Sequence, residues 1–344
     1  METIFDCFFE ETFVRLERSG LKSRQKRRDV IDHLNAVILG SSKECLFELY
    51  PAGQNVSAAE VCTLAVSSAI NYHQMKKSEN NQICLMGKYH NVLYIAMKIS
   101  WDWGIKDSDV VKQLLQEIFE CEHTFERIFL GAIFGSNAPF FIAGWRSDFS
   151  DQTENISALV YYLEHAKATR LEFPVFLNKY DGTRSLRFID VPIDSCGKAS
   201  PMRVALQASS PDMLLILVRY GANTNPIDGG SLPIIALLDK LLDDPYNQIH
   251  VEVCLKILLK TVPSIEMPYK PYIFPYRKQM FIQKYETLFE RGCIKQEQVI
   301  GVMDLKHLCR CAIRETLRAN YQLPSGINML KVPKSLKRYI DLMD

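Results

Sequence analysis

The sequence predicts an all-α protein built from repeated pairs of short helices and followed by a separate helical segment at its C-terminus. Apolar residues recur at spacings of three and four through most of the chain. A helix start at Pro201 has an equivalent at Pro233, 32 residues later, and this repeat length is typical of stacked helix pairs. With 47% hydrophobic and 24% charged residues, the 344-residue chain can also bury a substantial core.

Residues 1–86 are interpreted as an N-terminal helical region that carries no recognisable family motif. Its most distinctive feature is a basic run over residues 22–28, with five Lys or Arg residues in seven. Glu17 and Asp29 flank the run, and the rest of the sequence offers no matching basic patch, which favours a solvated helix face. A nuclear import signal or a phosphate-binding strip is the alternative.

The clearest repeat is predicted at residues 194–226. Pro201 is suited to the first turn of a helix, and Gly221 to the left-handed residue that ends the next one. The second helix carries an apolar face that one helix pair cannot bury, so a neighbouring unit is required. This face consists of Leu214, Leu215, Leu217 and Val218. Residues 200–203 and 217–225 resemble the Thr-Pro-Leu-His start and the Gly-Ala-Asn ending of an ankyrin repeat.

A second such unit is predicted at residues 229–262, and two degenerate units precede the clear pair. The helices of the second unit are expected at residues 231–238 and 249–259, with an insertion at 243–248. The helices of the first degenerate unit are expected at residues 91–96 and 109–115, and those of the second at 137–143 and 156–163. The resemblance implies an ankyrin-type solenoid over residues 87–265 that binds a target protein. Because all α-solenoids share the stacking of helix pairs, another helical repeat is the alternative.

Two segments interrupt the helical pattern. Between residues 171 and 193, two apolar runs flank Asp181-Gly182, which is a hairpin signal. We interpret this hairpin either as a recognition finger or as an irregular insertion. Residues 266–299 are predicted as a linker whose aromatic residues attach the C-terminal segment to the last repeat, with an exposed binding patch as the alternative. These aromatic residues are Tyr269, Tyr272, Phe274 and Tyr276.

The C-terminal segment, residues 300–344, begins with an amphipathic helix. Its apolar residues fall on one continuous stripe, and charged residues take most of the other positions. The stripe consists of Leu305, Leu308, Cys309, Ala312, Ile313 and Leu317. Asp304 is suited to cap this helix, residues 323–326 to end it, and Pro333 to start a last short helix. So small a segment cannot form a stable core alone, so it must pack on the preceding domain.

This order of elements resembles a SOCS box. In that family, a Leu-x-x-x-Cys-x-x-x-apolar helix docks on elongin C, and a following Leu-Pro-apolar-Pro segment meets a cullin. The resemblance implies that elongin C is bound by Leu305, Leu308, Cys309 and Ile313, and the cullin by Leu330, Val332 and Pro333. Asp304 departs from the small residue that usually precedes the helix. Lys331 replaces the first Pro of the cullin segment, so the cullin contact is the weaker inference.

Together, the repeats and the box resemble the ankyrin repeat and SOCS box family over roughly residues 87–344. The resemblance implies a non-catalytic substrate adaptor of a ubiquitin ligase with elongin B, elongin C, cullin-5 and its RING partner, which directs an unknown protein to the proteasome. One alternative is an interaction scaffold that recruits no cullin. Another is a plain ankyrin module whose last helices are only a cap, with the stripe buried against Ile257 or Leu258.

Composition and motifs argue against other classes of function. Lys and Arg total 41 against 40 Asp and Glu, so no overall charge attracts nucleic acid or a membrane surface. The apolar stretch at residues 128–145 contains Gly, Asn and Pro and is expected to form two buried helices, not a membrane span. No phosphate-binding loop, nucleophile elbow or metalloprotease motif occurs. We therefore expect no enzymatic activity and no cofactor.

The ten cysteines are scattered and mostly lie in apolar helical contexts, which is typical of a reducing compartment. No signal peptide is expected at the acidic N-terminus, so a cytoplasmic location is predicted, with the nucleus as an additional possibility. Two groups combine thiol and imidazole: Cys309 and Cys311 with His307, and Cys121 with His123. Because neither has a second pair at zinc-finger spacing, we expect no metal site.

Overall fold

A computed structural model describes residues 2–17, 20–44, 57–135, 147–178, 182–225, 231–243, 248–266 and 274–344. The chain divides into two compact units, Met1–Phe173 and Pro174–Asp344, here called the N-terminal unit and the C-terminal unit. Fifteen α-helices account for most of the described residues. The expectation of a mostly helical protein is therefore confirmed, and a two-stranded sheet is added to it.

The N-terminal unit contains seven helices among its described residues. They are α1 (Glu2–Arg15), α2 (Arg24–Glu44), α3 (Ala58–Glu79), α4 (Asn91–Asp102), α5 (Ser108–Glu122), α6 (Glu126–Phe134) and α7 (Gln152–Ala168). Local sequence sets several of their starts. Ser57 and Glu60 form a capping box at α3, and the carboxylates of Asp107 and Asp151 accept hydrogen bonds from the first turns of α5 and α7.

Helix α3 makes contacts with most of the N-terminal unit. It packs on α1, α2, α4 and α5, while α7 packs on both α5 and α6. Phe5, Phe9, Phe13, Phe129 and Tyr162 are fully buried in the core of this unit. Helices α3, α5 and α7 thus contact one another in succession, which is the packing that a series of helix pairs produces.

Of the two degenerate repeats predicted in this unit, the first corresponds to a packed helix pair, and the second is only partly covered by the described residues. Residues 91–96 lie in α4 and residues 109–115 in α5, and these two helices pack on each other. Residues 137–143 lie outside the described residues, and α7 packs on α6. Helix α6 covers the first part of the apolar stretch at residues 128–145. Among the described helices, none combines the length and apolar character that a membrane span needs.

The basic run at residues 22–28 is only partly a solvated face. Lys26 and Arg28 are exposed, as expected. Arg27 is buried, however, and its Nε donates a hydrogen bond to Asp148 Oδ1 at 2.7 Å. Arg24 Nη2 donates to the Phe149 carbonyl at 2.6 Å. Because a buried cation is tolerated when it is paired, part of this run serves the internal structure of the N-terminal unit.

A hairpin and two stacked helix pairs follow α7. Strands β1 (Glu172–Asn178) and β2 (Gly182–Arg187) form a two-stranded sheet, as the Asp-Gly signal predicted, and residues 179–181 lie outside the described residues. The next helices are α8 (Pro201–Gln207), α9 (Pro211–Arg219), α10 (Pro233–Asp243) and α11 (Ile249–Leu259). Helix α8 packs on α10 and α9 packs on α11. The predicted stacking of neighbouring helix pairs is therefore present.

The boundaries of the first pair have the chemistry that the sequence predicted. Ser200 Oγ accepts a hydrogen bond from the Arg203 N–H, and Pro201 occupies the first turn of α8. Gly221 follows α9 with φ of +85°, in the left-handed region that glycine favours. These features fix the turns of a helix pair without identifying which helical repeat family it belongs to.

The described part of the predicted linker at residues 266–299 contains regular structure from residue 274 onward. It contains α12 (Phe274–Lys284) and α13 (Glu286–Glu290), and Tyr285 and Leu288 are buried. Tyr285 Oη and Lys284 Nζ both donate to Asp239 at 2.6 Å, which attaches this segment to α10. Tyr285 is not one of the aromatic residues that were predicted to make this attachment. Tyr269 and Tyr272 lie outside the described residues, as do the side chains of Phe274 and Tyr276.

Candidate functional site

The candidate site lies on the first helix of the C-terminal segment, α14 (Leu305–Ala319). Asp304 precedes this helix, and its Oδ1 accepts a hydrogen bond from the His307 N–H at 2.8 Å, as the sequence predicted. The carboxylate also places a negative charge at the positive end of the helix dipole. The departure at Asp304 from the usual small residue is therefore compatible with a well-capped helix.

The two faces of α14 are inverted relative to an ordinary amphipathic surface helix. Leu305 has 76% of its surface exposed, Cys309 and Ala312 are also exposed, and Leu308 and Ile313 are half-buried. The opposite face is buried although it carries two arginines. It consists of His307, Arg310, Cys311, Arg314 and Leu317. The apolar stripe is therefore exposed or half-buried over residues 305–313 and buried at Leu317, which belongs to the core.

Arg314 explains how a charged face can be buried. Its Nη1 donates to the Ile340 carbonyl at 2.9 Å and its Nη2 donates to the Val218 carbonyl at 2.7 Å. Both carbonyls lie in the last turns of helices, where the peptide dipoles leave partial negative charge. Burial lowers the pKa of the Arg314 guanidinium to about 10, so it stays charged at neutral pH. The Arg314 side chain thereby donates hydrogen bonds to carbonyl groups at the ends of two helices.

His307 and Arg310 continue this polar contact. His307 Nε2 lies 2.8 Å from the Val262 carbonyl, and Arg310 Nη2 donates to His307 Nδ1 at 2.9 Å. The two contacts are compatible with a single tautomer, in which Nε2 carries the proton and Nδ1 accepts. The Arg310 guanidinium also lies 4.1 Å from the centre of the Tyr339 ring, within cation–π range. The polar face of α14 is therefore held in place by specific hydrogen bonds.

The remainder of the segment forms a small core beneath α14. Four buried residues make this core, and they are Leu317, Leu323, Ile327 and Ile340. Helix α15 (Lys334–Ile340) supplies the last of them and begins directly after Pro333, as predicted. Ion pairs between Arg219 and Asp341 at 2.6 Å and between Lys260 and Asp344 at 2.8 Å join the segment to α9 and α11. The C-terminal segment is thus packed on the helix pairs.

The residues predicted to bind a cullin have unequal exposure. Leu330 and Val332 are half-buried because they pack against the small core. Lys331 and Pro333 are exposed. The segment therefore presents its backbone, Lys331 and Pro333 outward, with only part of each apolar side chain.

A groove separates α14 from the helix pairs within the C-terminal unit. Its volume is about 370 Å³, and Leu308, Ala312 and Arg318 line its α14 side. Gly221 and Pro263 contribute to the other side. The half-buried Leu308 therefore lies at the edge of a concave surface, and Leu305 projects beyond it.

The expectation of no metal site was based on two groups of thiol and imidazole residues. Cys309 is exposed and Cys311 is buried, so they lie on different faces of α14, as expected from their spacing. A different set converges in the N-terminal unit, where the possible ligand atoms of His73, Cys84, His90 and Cys121 all lie within 4.8 Å of one another. Sequence motifs missed this cluster because its members come from separate helices and a loop. Cys121 belongs to it without His123.

Comparison with known proteins supports the C-terminal assignment. The family model described as SOCS box matches residues 301–341. No curated protein and no solved structure matches the chain. Ankyrin repeats are not shown by the family comparison, so that assignment stays a prediction. Residues 301–341 therefore match the SOCS box, a module that is typical of elongin-binding adaptors of cullin-containing ubiquitin ligases.

Proposed function

We propose that this protein is a substrate-recognition adaptor of an elongin B/C and cullin-5 ubiquitin ligase. In this proposal Leu305, Leu308, Cys309 and Ile313 bind elongin C. The observation that carries it is the orientation of α14, whose four proposed contact residues are exposed or half-buried while Arg310 and Arg314 are buried. An apolar helix face exposed beside a fixed polar face is typical of a surface that a partner covers.

Burial energies support tight association at this surface. Covering a fully exposed Leu side chain contributes about 1.5 to 3 kcal/mol, and Leu305 has most of its surface still to bury. Leu308 and Ile313 are half-buried already, so each offers less additional area. We therefore expect Leu305 to contribute more to the free energy of binding than any of the other three residues. Because Arg314 and His307 already fix the helix, little conformational entropy is lost on binding.

In the same proposal, cullin-5 and its RING partner meet Leu330, Val332 and Pro333. The exposed Pro333 and the outer parts of Leu330 and Val332 offer the apolar contact. The target protein binds the ankyrin-like helix pairs, with the hairpin as a further recognition element, since Phe176 on β1 has 57% of its surface exposed. Target ubiquitination and proteasomal degradation in the cytoplasm follow from this assembly.

A scaffold that binds elongins without recruiting a cullin is the second candidate. Lys331 favours it, because this exposed cation stands where the SOCS box pattern has a proline. A Lys331→Pro substitution separates the two candidates. If wild-type protein co-purifies with cullin-5 as well as the variant does, Lys331 does not weaken cullin recruitment. If only the variant recovers cullin-5, the scaffold is the better description.

The cap-only alternative predicted a stripe buried against Ile257 or Leu258. The exposure of Leu305 and Cys309 does not favour it. Co-expression of the full chain with elongins B and C, followed by affinity purification, tests the adaptor proposal. We expect both elongins to co-purify with the wild type. Well-folded wild-type protein that recovers neither elongin would overturn the proposal.

Leu305→Asp should abolish this recovery. Ile249→Asp is its matched control, because Ile249 is also the first residue of a helix in the C-terminal unit and is 79% exposed. We expect the control to recover elongins like the wild type. Equal loss in both variants would indicate a general surface or solubility effect and would argue against a specific docking helix.

A further inference from the structure

Four potential metal ligands converge in the N-terminal unit, far from α14 along the chain. His73 lies in α3, Cys84 in the loop before α4, His90 directly before α4, and Cys121 in the last turn of α5. Both histidines are buried and both cysteines are half-buried. Two thiols and two imidazoles form a donor set that suits Zn²⁺.

Three distances within this cluster are close to those between ligands of one zinc ion. Cys84 Sγ lies 3.2 Å from His73 Nε2 and 3.5 Å from His90 Nδ1, and Cys121 Sγ lies 3.8 Å from His73 Nε2. A zinc ion with bonds of about 2.3 Å to sulfur and about 2.0 to 2.1 Å to nitrogen separates its ligand atoms by about 3.3 to 3.8 Å. The three separations lie within or close to this range, and all four atoms lie within 4.8 Å of one another, so the group is compact enough to bind one ion.

The outer ring nitrogens of both histidines are held by carboxylates. Glu117 Oε1 lies 2.8 Å from His73 Nδ1, and Glu122 Oε1 lies 2.7 Å from His90 Nε2. Such carboxylate–histidine contacts leave the other ring nitrogen free of its proton and aimed at a metal. The same arrangement occurs at both histidines, although one uses Nε2 toward the cluster and the other uses Nδ1.

The two glutamates are themselves fixed. Gln74 Nε2 donates to Glu117 Oε2 at 2.9 Å, and Tyr94 Oη donates to Glu122 Oε2 at 2.7 Å. Lys77 and Arg127 lie at 3.5 and 3.2 Å from the same carboxylates and balance their charge. The cluster therefore has both the inner ligands and the outer hydrogen bonds of a built metal site.

We propose that His73, Cys84, His90 and Cys121 bind one structural Zn²⁺ in the N-terminal unit. Four protein ligands leave no open position for a substrate, so the ion has a structural role. Binding converts the two thiols to thiolates and releases their protons, and the two negative charges balance the ion. Through its ligands, the ion would connect the loop at residues 80–90 to α3 and α5 and stabilise its position before α4. This inference is independent of the proposed adaptor function.

Metal content of the purified full-length chain tests the proposal. Mass-spectrometric metal analysis should find one zinc per chain in the wild type and background levels in Cys84→Ser and Cys121→Ser. Cys293→Ser is the matched control, since Cys293 is also half-buried but lies outside the cluster. Cobalt reconstitution of metal-free wild type should give the visible absorption of a tetrahedral site and a thiolate charge-transfer band.

A conservative variant covers the case in which the cysteine variants do not fold. Glu117→Gln keeps all four ligands and should weaken zinc affinity about 10- to 100-fold, measured by competition with a chelator. The proposal is overturned if wild type prepared with zinc under reducing conditions holds none. It is also overturned if zinc content is equal in wild type and Cys84→Ser, or if Cys84 and Cys121 form a disulfide that persists under reductant.

Discussion

Arg314 is a charged residue with 5% of its surface exposed, in a helix whose first residue, Leu305, is 76% exposed. Helical periodicity shows which residues share a face, but it does not show which face is buried. That choice depends on two carbonyl groups, of Val218 and Ile340, that come from other parts of the C-terminal unit. The sequence therefore predicted the amphipathic pattern of α14 and could not predict the partners of Arg314.

Replacing Arg314 by Met should destabilise the protein without removing any apolar residue of the stripe. Both the Ile340 and the Val218 carbonyl would lose the Arg314 donor, and the Val218 carbonyl would keep the hydrogen bond from the Gly221 N–H. Each lost hydrogen bond to a charged group costs about 1.5 to 3 kcal/mol. Denaturant unfolding of the C-terminal unit measures the change. Lys334→Met, at an exposed position of the same segment, is the control and should have little effect. Equal stability of both variants would contradict the role assigned to Arg314.

Asp190 gives a pH-dependent prediction. Burial raises the pKa of its carboxyl to about 6, although Oδ1 accepts a hydrogen bond from the Asn223 N–H at 2.8 Å. The pKa of an unfolded aspartate is about 3.9. Between about pH 4 and pH 6 this carboxyl therefore binds more protons in the folded state than in the unfolded state, so the contribution of Asp190 to stability falls as pH rises through this range.

Asp190→Asn should remove this dependence and raise the free energy of unfolding at pH 7, by at most about 3 kcal/mol, because one pKa unit corresponds to about 1.4 kcal/mol. Asp194→Asn, at an exposed carboxylate nearby, is the control. Urea unfolding at several pH values measures both. A wild-type stability that rises steadily from pH 4 to pH 6, with no difference in the Asp190 variant, would contradict the prediction.

At the scale of elements, local signals succeeded where the chain makes short-range contacts. The hairpin followed from Asp181-Gly182, and the end of α9 followed from Gly221. The ordered segment at residues 274–299 was missed because Tyr285 and Leu288 are buried through contacts with α10 that no local pattern records. Periodicity placed Leu317 on the apolar stripe of α14, but it did not show that this residue alone of the stripe is buried in the small SOCS box core.

Gly221→Ala tests the turn that ends α9. An added Cβ would lie 3.1 Å from Arg318 Cγ and 3.4 Å from Leu323 Cδ1, in a backbone conformation that alanine disfavours. Gly197→Ala is the control, since Gly197 also has positive φ but faces open space. We expect Gly197→Ala to cost about 1 kcal/mol and Gly221→Ala to cost measurably more in thermal unfolding. Equal losses of stability would show that the side chains of Arg318 and Leu323 move to accommodate the added methyl group.

At the scale of the whole molecule, motifs divided the chain into four segments, at residues 1–86, 87–265, 266–299 and 300–344. The contacts of the folded chain divide it into two units, and the boundary in the sequence falls between Phe173 and Pro174. The His–Cys cluster shows why motif reading falls short at this scale. Its ligands span residues 73 to 121, and only the packing of α3, α4 and α5 brings them together.

The two proposed sites should act independently. Removing zinc by a chelator, or by Cys84→Ser, should lower the stability of the N-terminal unit and speed hydrogen exchange in α3 and α5. Elongin binding should be unchanged, because the hydrogen-bond partners of α14, at Val218, Val262 and Ile340, all lie in the C-terminal unit. Loss of elongin binding after chelation, with the SOCS box still protected from exchange, would contradict this independence.

The most direct measurement is calorimetric titration of purified elongin B/C complex into the full-length chain. Wild type and Ile249→Ala should bind with the same affinity. Leu305→Ala/Cys309→Asp should bind at least about tenfold more weakly, since one or more buried apolar contacts are lost, while its unfolding temperature stays unchanged because both residues are exposed. Equal affinity of wild type and the folded double variant would contradict docking through the outward face of α14.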